Sequence, residues 1–157
     1  MASEQTTVSV ASLPTLTGKH LGQSRWLDIT QDQIDQFADL TGDRQWILVD
    51  PERAAKGPFG ATVAHGFFTV SLSTLLLYEM VNVEGAAQIL NYGLNRVRFP
   101  STNPAGSRIR MNVSVPSVEE VSGGYQTTFA LTFEREGQDK PVCVAELLFR
   151  YYGPEES

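Results

Sequence analysis

The sequence predicts an α+β fold in which an antiparallel β-sheet wraps around one long central helix. The first observation is the segment Gly66–Met80, which is apolar nearly all the way round a helical wheel and therefore belongs to an enclosed helix. The second is a change of period after this segment, where four β-rich stretches follow one another. The third is an early β-rich stretch at 24–29, which can complete the sheet.

Two shorter helices are predicted ahead of the central one. Thr30 and Gln33 form a capping box before an apolar stripe with helical spacing, and Gly42 is well placed to end that helix. Asp50-Pro51 predicts a second start, with an acidic N-cap and proline at the first helical position, and Gly57-Pro58 closes it. The segment between the two helices is therefore held at both ends.

Four strands are predicted in the second half of the chain, with turn signals between them. Because the connections are short, we expect the strands to form an antiparallel meander. Together with the central helix they make the arrangement known as the hot-dog fold. The predicted strands are 88–99, 107–118, 124–134 and 141–152.

The chain is expected to form one domain over residues 1–157, with its core at about 13–152, because its length leaves little room for a second core. An apolar fraction of 41% and a charged fraction of 19% are typical of a globular protein. The net charge of −6, without a basic run, argues against nucleic acid and membrane surfaces as partners. The first seven residues lack the pattern of a secretory signal, so a cytoplasmic protein is expected.

Few residues are available for metal or thiol chemistry. The chain has one cysteine and two histidines, His20 and His65, without clustered ligand spacing, so no metal site and no cofactor is expected. Cys143 lies in an apolar run, which favours a buried filler over a nucleophile.

Several separated motifs carry a resemblance to a known family. In their order they are similar to the MaoC-like dehydratases and (R)-specific enoyl-CoA hydratases, particularly the nodulation protein N-like single-domain branch. The resemblance covers about residues 21–151 and rests on Phe37 to Pro51, Pro58-Phe59-Gly60, Ala64-His65-Gly66-Phe67, Asn91 to Pro100 and Ala105-Gly106-Ser107.

The resemblance implies a lyase of fatty acid metabolism that hydrates 2-enoyl thioesters or dehydrates (R)-3-hydroxyacyl thioesters. Its partner would be an acyl thioester of coenzyme A or of acyl carrier protein, and the protein would be a homodimer. In the family an aspartate after Thr-Gly and a histidine five positions later activate one water, and a backbone amide at the start of the central helix receives the thioester oxygen. Asp43 matches the aspartate, Gly66 matches the helix start, and Leu48 stands where the family has histidine.

The chemistry explains why the residue at position 48 matters. Hydration needs a base for a water proton and an acid for the substrate's α-carbon, and leucine can do neither. Asp43 has an alternative role as a turn-capping residue, and Gly66 one as a small residue that permits close packing. His65 either approaches the site as a replacement base or only makes a hydrogen bond near the helix start.

A further group of residues is predicted to bind substrate. Arg44 either points outward as a solvated charge or inward toward Asp43. Arg96 and Arg98 alternate with Val97, so they face the same way, and they either bind coenzyme A phosphates or protect an exposed strand edge. The complete predicted set is Arg44, Gln45, Trp46, His65, Phe67, Tyr92, Gly93, Arg96 and Arg98.

Three functions remain open from the sequence. The first is the hydratase reaction, slowed because Leu48 replaces the histidine. The second is a protein that binds acyl thioesters without turnover. The third is a diverged or engineered enzyme that uses the enolate-stabilising pocket for isomerisation, cyclisation or another addition. The residue at position 48 bears on all three functions. Hydration needs the histidine that Leu48 replaces, whereas oxyanion binding at a helix start does not depend on position 48.

Overall fold

The central helix of the computed structural model, α4 (Gly66–Met80), is the longest of the four α-helices in the described part of the chain and packs against the sheet that follows it. The structure describes residues 1–154. The other helices are α1 (Gln31–Thr41), α2 (Trp46–Val49) and α3 (Pro51–Ala55). The strands are β1 (Thr6–Ser9), β2 (His20–Gln23), β3 (Leu27–Asp28), β4 (Val81–Glu84), β5 (Gln88–Arg98), β6 (Arg108–Val121), β7 (Gly124–Arg135) and β8 (Cys143–Tyr152).

The main sheet is antiparallel and has the strand order β2-β6-β7-β8-β5, with β3 pairing beside β2 on β6. The expected meander is correct for β6, β7 and β8. It is wrong for β5, which pairs with β8 rather than with β6. The reason lies in the connection after β5, where residues 103–105 pair with the segment 62–64 and so lead the chain away from β5.

The early strand differs from its prediction. Instead of one strand at 24–29, two short strands, β2 and β3, pair with β6 on either side of an interruption. Ser24 lies at the interruption, where its hydroxyl accepts a hydrogen bond from the Met111 amide at 2.8 Å. The strand therefore begins earlier than expected and is broken by residues 24–26.

The core extends nearer to the N-terminus than residue 13. Strand β1 pairs in parallel with β4, and a short 3-10 helix, Val10–Leu16, follows it. Val10, Leu13 and Leu16 are buried in the core. The core therefore begins before the expected boundary at residue 13, while residues after 154 lie outside the described part of the chain.

Both predicted short helices are confirmed. Helix α1 has the capping box of Thr30 and Gln33, and it ends at Gly42, whose φ of +82° favours glycine. Helix α3 begins after Asp50, whose side chain accepts a hydrogen bond from the Arg53 amide. Helix α2 was not predicted, because it is a single turn without a side-chain cap.

Cys143 is fully buried, and burial raises the pKa of its thiol to about 12. The filler interpretation is confirmed, since a thiol with so high a pKa is a poor nucleophile at neutral pH. None of the helices in residues 1–154 has the length and apolar character needed to cross a membrane.

Candidate active site

A cavity of about 570 Å³ opens where α4 begins, beside α1 and α2. We call it the main cavity. Six of its lining residues belong to the predicted site, and the others are mostly apolar. The lining residues are Phe37, Thr41, Asp43, Gln45, Ile47, Leu48, Val63, Ala64, His65, Gly66, Phe67 and Phe99.

The start of α4 borders the main cavity. Gly66 is the first residue of the helix, and the N-cap residue His65 makes no side-chain capping bond. The first amides of a helix have no partner within it, and the helix dipole places partial positive charge there. A Cβ at Gly66 would lie 2.7 Å from the Phe99 ring, so close packing also requires glycine here.

Asp43 follows the residue that ends α1, and it lines the main cavity. Its backbone amide donates to the Thr41 hydroxyl at 3.3 Å. One carboxylate oxygen accepts a hydrogen bond from Gln45 Nε2 at 3.1 Å. The turn is therefore held by the backbone of Asp43, and the carboxylate has only one hydrogen bond from a described side chain.

Leu48 lies in α2 and contributes to both the main cavity and the hydrophobic core. Its side chain is buried, and its carbonyl accepts a hydrogen bond from Gln31 Nε2 at 2.8 Å. It forms an apolar wall together with Phe37 and Ile47. Among the residues that line this cavity, Asp43 and His65 are the ones with an acidic or basic side chain.

His65 connects the loop after α1 to the start of α4. Its Nε2 lies 3.0 Å from the Asp43 carbonyl oxygen, so this nitrogen carries the proton and donates it. Its ring packs edge-on against Phe37, and Nδ1 is buried without a hydrogen-bond partner among residues 1–154. The hydrogen-bonding role of His65 is thus present, and its Nε2 proton is already committed to the backbone.

Two predicted neighbours of Asp43 lie outside the main cavity. Arg44 points outward and forms an exposed ion pair with Asp39 at 3.0 Å, which is the first of its two alternatives. Trp46 packs instead beneath the Arg53 guanidinium, 4.3 Å from the ring centroid, and against Gly57. Substrate contact by either residue is not supported by this geometry.

The predicted residues of β5 also lie away from the main cavity. Tyr92 is on the exposed edge strand and stacks with the Arg150 guanidinium at 3.6 Å. Gly93 is its neighbour in that strand. Arg96 and Arg98 border a separate cleft of about 440 Å³, the arginine cleft, together with Glu146. Both arginines face the same cleft, as their alternation predicted.

Several lining residues were missed by the sequence interpretation. Phe37 belongs to the apolar stripe of α1, so it was assigned to the core. Phe99 follows the predicted arginines directly, but nothing local to it indicates that its ring packs on Gly66. Phe99 and Gly66 also border a second cavity of about 280 Å³, which we call the side chamber.

Comparison with known proteins gives a consistent result. The model of the family described as MaoC like domain matches residues 12–133. The chain is 52% identical over 144 residues to 3-hydroxyacyl-thioester dehydratase Z of Mycobacterium tuberculosis, covering 91% of this chain and 95% of the relative. It is 40% identical over 141 residues to nodulation protein N of Rhizobium leguminosarum bv. viciae, covering 88% of each.

Solved structures agree on the fold. The unliganded (R)-hydratase of Pseudomonas aeruginosa superimposes with a TM-score of 0.73 at 20% identity, covering 94% of this chain and 86% of that one. The (R)-hydratase of A. caviae superimposes with a TM-score of 0.70 at 20% identity, covering 85% of this chain and 94% of that one. The predicted hot-dog fold is confirmed.

Proposed function

The chain belongs to the MaoC-like domain family, and we propose that it hydrates 2-enoyl thioesters to (R)-3-hydroxyacyl thioesters, and reverses this reaction, at a low rate. The observation that carries this proposal is that Asp43 and Gly66 border the same cavity. Support also comes from the Mycobacterium tuberculosis relative, whose name describes a 3-hydroxyacyl-thioester dehydratase.

The reaction assigns one role to each end of the main cavity. Asp43 accepts a proton as the water oxygen bonds to C3, and the electron pair of the C2–C3 double bond moves onto the thioester oxygen. The amide of Gly66 stabilises the resulting enolate oxygen, helped by the helix dipole. A proton from Asp43 then reaches C2, which completes the addition of water.

Leu48 is the reason for the low rate. A buried leucine side chain cannot hold or polarise the water that Asp43 must deprotonate. The same observation favours a second candidate function, which is binding of acyl thioesters without turnover. The two candidates share the oxyanion end of the cavity and differ only in whether water adds.

The direct test is hydration of a short 2-enoyl-CoA by the unmodified protein, followed through loss of the conjugated thioester's ultraviolet absorbance. We expect a slow rate above the protein-free background, with (R)-3-hydroxyacyl-CoA as the product by chiral analysis. A rate equal to background, together with measurable binding of butyryl-CoA, would support the binding protein instead. An (S) product would contradict the proposed hydratase stereochemistry.

A homodimer is part of the same proposal. Strand β5 pairs only with β8 among the described strands, so its other edge is open. Exposed apolar side chains cover this strand and the outer side of α4. They are Ile89, Leu90, Tyr92 and Leu94 on β5, with Phe67, Leu75 and Tyr78 on α4. An open edge beside an apolar surface favours pairing with a second copy.

Light scattering on the purified protein should give the mass of a dimer. Leu90→Lys should shift the protein toward the monomer, because it places a charge on the apolar surface of β5. Leu40→Lys is the matched control, since Leu40 is 83% exposed on α1 and away from β5. A monomeric unmodified protein, or equal effects of both variants, would contradict this interface.

A further inference from the structure

Phe37 lines the main cavity and also borders a groove outside it. The groove lies between α1 and α4, has a volume of about 340 Å³ and is called the outer groove here. Most of its lining side chains are apolar, and one of them belongs to the main cavity as well. The lining residues are Gln33, Gln36, Phe37, Leu40, Phe68 and Leu72. Phe37 therefore stands where the two spaces adjoin.

The Phe37 ring is held in place by two other rings. Its centroid lies 4.9 Å from that of His65, which lines the main cavity, and 5.4 Å from that of Phe68, which lines the outer groove. Both neighbours are buried, and His65 is fixed further by the bond from its Nε2 to the Asp43 carbonyl. A ring packed in this way has little free space for another rotamer. It is therefore a fixed wall between the two spaces.

Phe37 lies on the Asp43 side of the main cavity. The Thr41 hydroxyl donates to the Phe37 carbonyl at 2.8 Å and accepts from the Asp43 amide at 3.3 Å. The imidazole of His65 contacts both residues as well. Elsewhere in the cavity wall, Gly66 borders the side chamber. Phe37 therefore closes the cavity on the side of the proposed proton acceptor.

The order of atoms in the substrate decides which part of it approaches Phe37. In the proposed reaction the thioester oxygen is at the Gly66 amide and C3 is beside Asp43. The acyl tail is bonded to C3 on the side away from the carbonyl, so it continues beyond Asp43. Phe37, Ile47 and Leu48 line the cavity with apolar side chains, and a hydrocarbon tail gains free energy by leaving water for such a surface. A tail of sufficient length therefore meets the Phe37 ring.

We propose that Phe37 limits the acyl chain length of the substrate, so that the main cavity accepts an acyl tail only as far as this ring. This inference rests on the proposed function and specifies its substrate class as short-chain acyl thioesters. The limit falls at a short chain, because one imidazole ring separates Phe37 from the Asp43 backbone. A smaller side chain at position 37 would join the main cavity to the outer groove, where Leu40, Phe68 and Leu72 offer further apolar surface.

Binding of saturated acyl-CoA thioesters tests the proposal without any turnover. Butyryl-, hexanoyl- and octanoyl-CoA are titrated by calorimetry, and each methylene that becomes buried should strengthen binding by about fourfold. We expect the unmodified protein to bind octanoyl-CoA no more tightly than hexanoyl-CoA, because the last two methylenes find no space. Phe37→Ala should bind octanoyl-CoA about three- to tenfold more tightly than hexanoyl-CoA. A preference of that size for octanoyl-CoA in the unmodified protein would overturn the proposal.

Two further variants make the result specific to position 37. Phe37→Leu retains an apolar side chain, so it disturbs folding less than alanine does, and it should give a smaller gain for octanoyl-CoA in the same direction. Leu40→Ala is the matched control, because Leu40 lines the outer groove without bordering the main cavity. It should keep the chain-length pattern of the unmodified protein. Thermal unfolding checks that the variants are folded. No gain in a folded Phe37 variant, or an equal gain in Leu40→Ala, would contradict the assignment.

A variant on the other side of the cavity tests the direction of the acyl tail. Phe99→Ala enlarges the main cavity toward the side chamber, which Phe99 and Gly66 also border. A gain for octanoyl-CoA in Phe99→Ala and not in Phe37→Ala would place the tail in the side chamber and overturn the proposal. Because saturated thioesters cannot be hydrated, a missing hydratase activity leaves the test intact. Absence of binding at every chain length would overturn the proposed thioester site together with this inference, whereas an unchanged chain-length pattern in Phe37→Ala would overturn this inference alone.

Discussion

Leu48→His is expected to raise the hydration rate of a short 2-enoyl-CoA by about 100-fold or more. An imidazole at this position would share one water with the Asp43 carboxylate, because both residues line the main cavity. The initial rate is followed by the ultraviolet absorbance of the conjugated thioester at saturating substrate. The size of the rise measures how much hydration rate is lost because leucine stands at position 48 in place of histidine.

Two control variants make this result specific to position 48. Ile47→His places an imidazole in the wall of the same cavity, one residue earlier, and should leave the rate nearly unchanged. Leu48→Met conserves the volume of the buried side chain without adding a base. An equal rise in Ile47→His, or no rise in Leu48→His when that variant is folded, would contradict the role given to position 48.

Asp43→Asn, made in the Leu48→His background, is expected to lower the hydration rate by about 100-fold or more. The amide keeps the shape of the side chain and an oxygen for the bond from Gln45 Nε2. It cannot accept a proton from water, so the loss reports proton transfer rather than a change of structure. The same absorbance measurement gives the rate.

The matched control is Asp39→Asn, which removes an exposed carboxylate that pairs with Arg44 outside the main cavity. The hydration rate of this variant should stay within about twofold of the rate of Leu48→His alone, because exposed ion pairs contribute little to stability. A hydration rate that survives Asp43→Asn would assign Asp43 to the turn after α1 alone. Binding of butyryl-CoA should be nearly the same in all of these proteins.

The helices ahead of α4 were predictable because their signals are local. The capping box at Thr30 and the N-cap at Asp50 each involve residues three positions apart, and the structure has both. The long apolar segment also has its expected extent in α4. Each of these elements is specified by bonds within a few residues, so its sequence is sufficient to identify it.

The position of β5 was not predictable in the same way. A short connection with turn residues normally joins neighbouring strands. Here the connection pairs with residues 62–64 on its way to β6, so β5 is left to pair with β8 at the far side of the sheet. Such a choice of partner depends on contacts between distant parts of the chain, which no local pattern records.

The same distinction applies to the candidate site. Asp43, Leu48 and Gly66 were found through motifs that keep their spacing, and all three line the main cavity. Trp46 lies between the first two in sequence, but the single turn of α2 directs it to Arg53 instead. Phe99 was missed because its contact with Gly66 at the start of α4 crosses more than thirty residues.

The central claim is that position 48 controls activation of water and leaves thioester binding intact. It is tested most directly by the dissociation constants of butyryl-CoA, measured by calorimetry for the unmodified protein and for Leu48→His. We expect the two constants to agree within about threefold, because the oxyanion end of the main cavity is the same in both. Absence of binding to the unmodified protein, or a tenfold or greater gain in affinity in the variant, would contradict the claim.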